Sequence, residues 1–148
     1  MILDIQTQLA TAYAPTSTGT TTPGPVVDLE AVVDLGMGND VIFYLQQTVT
    51  ATSGGSATVD FQLIGNATDP TFASNNFTII DQGAIALATL VAGYEQKIKY
   101  PRGFLIRYLK LAFVIGTAAL TAGTWNAWLL NDAVQDIRAY PAGYANPG

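Results

Sequence analysis

The sequence has no cysteine and no histidine. The first absence excludes disulfide scaffolds, zinc-thiolate sites and thiol nucleophiles. The second removes the commonest general base at neutral pH and the commonest transition-metal ligand. Charge is scarce too. Only 11% of residues are charged, where ordinary soluble domains carry about 25%. With hydrophobic residues at 49%, the chain cannot cover its whole surface in charge. Either that surface is unusually apolar or other subunits cover part of it; coverage by other subunits is expected. Positive charge is missing altogether before Lys97.

What charge there is falls unevenly. Residues 1–96 carry nine acids and no base, whereas residues 97–148 carry six bases and two acids, for a net charge of −5. Five of the bases, Lys97, Lys99, Arg102, Arg107 and Lys110, lie within fourteen positions. One positive strip on a negative body suits docking on an acidic surface in a fixed orientation more than it suits chemistry. The same net charge opposes nucleic-acid binding, which is driven by counterion release to a basic protein. The bland alternative is a solvated strand with scattered charges.

At 148 residues a single domain, 1–148, is expected. A chain of that length buries roughly 70% of its unfolded surface without help from a metal or a disulfide. The opening Met1-Ile2-Leu3-Asp4 holds an acid and no base, unlike a secretory leader. Residues 104–123 form the longest apolar run but contain Arg107 and Lys110. They are read as a buried strand and a loop, not a membrane span.

The local pattern is that of strands. Residues 41–49 are β-branched, aromatic and apolar. Residues 57–64 place Val59, Phe61 and Leu63 on one face and Asp60 and Gln62 on the other, and Ser53-Gly54-Gly55-Ser56 reads as a hairpin-like link between the two strands. Further strands are expected at 1–9, 26–35, 77–80, 94–100, 105–115 and 124–130, with loops at 65–76 and 116–123. Residues 83–93 are ambiguous. Leu109, Leu111, Phe113 and Ile115 share one face of the longest strand; Tyr108, Lys110, Ala112 and Val114 share the other. Period-2 alternation puts Lys97 and Lys99 on one face but Arg107 and Lys110 on opposite faces, so the basic residues are not one patch. Residues 10–25, rich in Thr and Pro and free of charge, read as an extended arm or long loop, and 139–148 as an extended tail. No segment shows a helical period with a polar opposite face. An all-β sandwich follows, and a long crossing loop with a Greek-key path would make it a jelly roll.

The run 98–115 (IKYPRGFLIRYLKLAFVI), the opening Met1-Ile2-Leu3-Asp4, the Leu90-Val91-Ala92-Gly93 before the basic strand and the closing Tyr140-Pro141-Ala142-Gly143-Tyr144 together resemble the Bordetella-phage type of capsid cement proteins, small head proteins of tailed bacteriophages. The resemblance implies a jelly roll, no catalytic activity, no cofactor, self-association on capsid symmetry axes, and attachment to the major capsid protein on the outside of the virion. It supplies no active-site residues. The Thr-rich stretch 16–22 is a departure from the family pattern.

Candidate contacts to capsid or to a second subunit are therefore Lys97, Lys99, Arg102, Arg107, Lys110, Trp128, Tyr140 and Tyr144. Trp125 and Trp128 are three apart on a strand and face opposite sides. One is core and the other an interface anchor, and spacing does not say which. Competing readings are a carbohydrate-binding jelly-roll module of a phage tail or adhesin, needing an exposed aromatic platform, and a hydrolase built on a carboxylate pair among Asp60, Asp69 and Asp81. Isolated Asp residues near turns are usually turn chemistry. Asn66, Asp69, Asn75 and Asn76 offer calcium-type oxygens without the acidic periodicity of known calcium loops. Gly36-Met37-Gly38-Asn39-Asp40 is a turn, lacking the third glycine and the helix of a nucleotide fingerprint. The sequons at Asn66 and Asn76 mean little without a secretory signal.

Overall fold

Ten strands and one 3-10 turn (Ile5–Thr7) account for the regular structure of the computed structural model, which describes residues 5–37 and 41–131. The strands are β1 (Gln8–Tyr13), β2 (Gly19–Thr21), β3 (Val27–Val33), β4 (Val41–Ser53), β5 (Thr58–Asn66), β6 (Phe77–Asp81), β7 (Ile85–Ala86), β8 (Glu95–Lys99), β9 (Ile106–Gly116) and β10 (Leu120–Asn131). The first sheet has the order β1-β10-β4-β8. The second runs β2-β9-β5-β6, with β3 also on β9 and β7 also on β5. Every pairing is antiparallel. The chain changes sheet after β1, β3, β4, β7, β8 and β9, which is the path of a jelly roll. No helix among the described residues is long and apolar enough to cross a membrane.

The alternation read from the sequence explains the core. Phe43 and Leu45 of β4 and Trp125 and Ala127 of β10 face Val59, Phe61 and Leu63 of β5 and Leu109, Leu111 and Phe113 of β9 in one buried cluster. Its aromatic centre is tilted and edge-on. Phe113 lies 5.3 Å from Phe61 and 5.5 Å from Trp125, and Tyr13 closes on Phe113 at 5.1 Å.

Four local expectations change, and the ambiguous 83–93 stretch is resolved. The 53–56 link is not a hairpin, because β4 pairs with β10 and β8 while β5 pairs with β9. It is a corner between sheets. Each strand already has a core-facing apolar side, and strands far along the chain supply better partners than the adjacent one. Residues 10–25 are extended, but as edge strands β1 and β2 on opposite sheets joined by a crossing segment. The ambiguous 83–93 stretch holds only the two-residue β7 and turns, and β10 begins at Leu120, inside the expected 116–123 loop. Strict alternation also breaks at the start of β9. Ile106 and Leu109 are both core residues although three apart, and the β3–β9 register shifts between Asp28 and Val33. Arg107 is thereby turned to solvent instead of the inward face.

Candidate functional site

The basic residues occupy separate regions of the sandwich. Lys97 and Lys99 lie on β8, which among the described strands is an edge of the first sheet. Lys97 reaches Glu95 at 3.7 Å and stands 5.6 Å from the Tyr44 ring. The Tyr44 hydroxyl donates to Glu95 Oε1 at 2.8 Å, and burial, with Glu95 beside it, pushes the phenol up to about 12. β8 pairs with β4 through an unbroken register, Ile42↔Lys99 to Gln46↔Glu95. Lysines on such a regular edge hinder unwanted strand pairing, which gives Lys97 and Lys99 a structural use as well.

Arg107, on β9, forks onto Asp28 at 2.8 Å (Nε to Oδ1) and 3.1 Å (Nη2 to Oδ2). The hydrogen bond from Arg107 holds Asp28 below the usual carboxylate range and raises the guanidinium in return. Lys110, on the outer face of the second sheet, stands 4.4 Å from the Phe72 ring. Arg102 lies in the exposed loop between β8 and β9.

Trp125 is the core tryptophan and fully buried; Trp128 points to the outer face of the first sheet. There it stacks on Tyr44 at 5.8 Å and joins Leu130 in a small second cluster. Trp128 is only 7% exposed, and no described aromatic side chain is exposed. The carbohydrate reading asked for such a platform. Tyr140, Tyr144 and the 139–148 tail lie outside the described residues.

The 65–76 loop carries the densest polar network. Asn66, fully buried, accepts from the N–H of Thr68 and of Asp69 and donates to Ser74 O and Asn76 Oδ1. Asp69 accepts from the Thr71 hydroxyl and from the N–H groups of Thr71, Ala73 and Ser74. The hydrogen bonds from Thr71 keep its pKa below the ordinary value. The side-chain oxygens of Asn66, Asp69 and Asn76 that resembled calcium ligands are thus spent on the loop's own donors. The result is a stiff cap that tucks Phe72 beneath Lys110, with Phe72 itself at φ +57°.

Of the three aspartates weighed as an acid pair, Asp60 and Asp81 come together on the outer face of the second sheet, and Asp69 stands beyond the far end of β5. Asp60 Oδ2 accepts from Gln62 at 2.7 Å. Burial raises its pKa, and the neighbouring Asp81 carboxylate adds to the effect. The folded protein therefore holds this proton more tightly than the unfolded chain. The carboxyl favours folding below the ordinary value of 3.8, and that contribution is lost as pH rises through the folded value. Asp60→Asn is expected to raise the melting temperature at pH 7 and leave it unchanged near pH 3. An equal shift at both pH values would contradict this account.

Two exposed side chains that sequence reading passed over are Met37 and Leu105, at 69% and 64%. Both lie outside the strands, Met37 in the 34–37 turn and Leu105 in the loop before β9, where period-2 alternation assigns no face.

No curated protein matches the chain. The Bbp16 family profile matches residues 9–129, from β1 into β10 and well over half of the sequence. The jelly-roll body as a whole therefore carries the relationship, and the chain belongs to Bbp16, a family of Bordetella-phage proteins.

Proposed function

We propose that the protein is a non-catalytic structural component of a tailed-phage virion, a cement that sits outside the capsid and bridges subunits of the major capsid protein. Membership of Bbp16 across the jelly-roll body carries this reading. The charge distribution supports it. Cations spread over β8, the following loop and β9 offer several contact points on an otherwise acidic body. Linked weak contacts gain avidity through effective concentration, so pressure on the shell has to break several together. Self-association on a symmetry axis would multiply the contacts again. Low charge content leaves ample uncharged surface for these interfaces.

Heads stripped of the protein provide the test. Added back, the protein is expected to co-sediment with them and to raise the temperature at which they release DNA. Binding should weaken as salt rises from 50 to 500 mM, because exposed ion pairs are screened beyond a Debye length of about 8 Å at physiological strength. Heads that neither bind the protein nor gain strength from it would refute the proposal.

A further inference from the structure

One described cation differs from the rest. Lys97 has Glu95 and Tyr44, Arg107 has Asp28, Lys110 has Phe72, and Lys99 is also engaged. Among the described residues Arg102 alone has neither an ion pair nor a ring contact. The two most exposed large apolar side chains, Met37 and Leu105, lie beside it, and Val32, 50% exposed, follows along β3.

Their proximity is built into the backbone. The 34–37 turn closes through Met37 N–H to Asp34 O at 3.3 Å. The Asp34 carboxylate accepts from Gly36 N at 2.9 Å and, across to the other loop, from Gly103 N at 2.8 Å. Gly36 touches that loop so closely that a Cβ there would stand 2.6 Å from both Arg102 Cα and Pro101 O. Val33 pairs with Ile106 just below. Met37, Arg102 and Leu105 therefore ride on two loops locked into one body at one end of the sandwich.

Arginine and methionine are enriched at protein interfaces, and Leu105 adds exposed apolar area on the same rigid backbone. Fixing the loops in advance removes part of the ordering cost of binding. We propose that this loop pair is a docking point for a carboxylate-bearing, partly apolar patch on a partner protein. Resting on the cement reading, the partner is the major capsid protein on the outside of the shell. The guanidinium calls for a carboxylate, Met37 and Leu105 call for an apolar neighbour, and the acidic body disfavours a phosphate backbone.

The experiment is binding to heads stripped of the protein, with wild type as the first arm. Failure of wild type to bind refutes the cement reading itself. With wild type bound, Arg102→Ala and Leu105→Asn are each expected to weaken binding about tenfold or more at unchanged melting temperature. Val49→Asn, at an exposed position away from these loops, should stay within about twofold. Arg102→Ala should also flatten the salt dependence. Wild-type-like binding by both loop variants would overturn the docking point while leaving the cement reading intact. Loss of self-association in place of head binding would assign the surface to a second copy and equally overturn it.

Discussion

Trp125→Ala is expected to cost about 3–5 kcal/mol, the range for removing a fully buried tryptophan. Its ring lies 5.5 Å from Phe113 and 6.1 Å from Phe61, so it ties β10 of one sheet to β9 and β5 of the other. The backbone is shaped around it. Gly123, at φ +136°, sits where a Cβ would come within 2.5 Å of Trp125 Cη2. Collapse into the cavity is hindered because both neighbours are held in paired strands. Against a total stability of about 5–15 kcal/mol, the loss should lower the melting temperature by roughly 10 °C or more. Circular dichroism measures it, and fluorescence of the remaining Trp128 gives a second probe. Trp125→Phe should cost much less. It keeps an aromatic filler and removes an indole N–H that has no hydrogen-bond partner among the described residues. A Trp125→Ala protein that melts within 2 °C of wild type would show that the two sheets are held together elsewhere.

Asn66→Ala comes next, at about 2–3 kcal/mol. A buried group left without its partner costs about 1–3 kcal/mol, and this change abandons the Thr68 and Asp69 N–H groups and Ser74 O together. The cap over the outer face of the second sheet should then loosen, and Phe72 should lose its place under Lys110. Hydrogen exchange at Thr68, Asp69, Ala73 and Ser74 reports this directly. Fast exchange confined to that loop, with β5 still protected, is the expected pattern. Protected loop amides in the variant would mean that Asp69 alone organises the loop. Folding lowers the Asp69 pKa, so its contribution is present above about pH 3.8 and is lost as pH falls through the folded value. Asp60 and Asp69 therefore oppose each other in any acid titration of stability.

The strands of the sandwich were legible because burial on one face imposes period-2 alternation. Val59, Phe61 and Leu63 read as core from spacing alone, as did Leu109, Leu111 and Phe113, and all six lie in the central cluster. Turn chemistry was legible only in part. Ser53-Gly54-Gly55-Ser56 marks a reversal, but the same residues serve a hairpin and a corner between sheets. The choice depends on β10 and β9, which pair with β4 and β5 from far along the chain. Pairing of Arg107 with Asp28 was equally hidden, since it joins positions 79 apart through a register shift.

By itself the sequence determined that this is a β protein with a lopsided charge distribution and without thiol or imidazole chemistry, because composition and local spacing are properties of the chain alone. Tertiary structure decided how the strands divide between the sheets, which tryptophan entered the core, and which sheet or loop each residue of the basic run would occupy. It also decided that the turn carrying Met37 would be held against the loop carrying Arg102 and Leu105, a result of Asp34 accepting hydrogen bonds from its own turn and from that loop at once. Contacts of this kind are set by the packing of distant segments, and no window of neighbouring residues contains them.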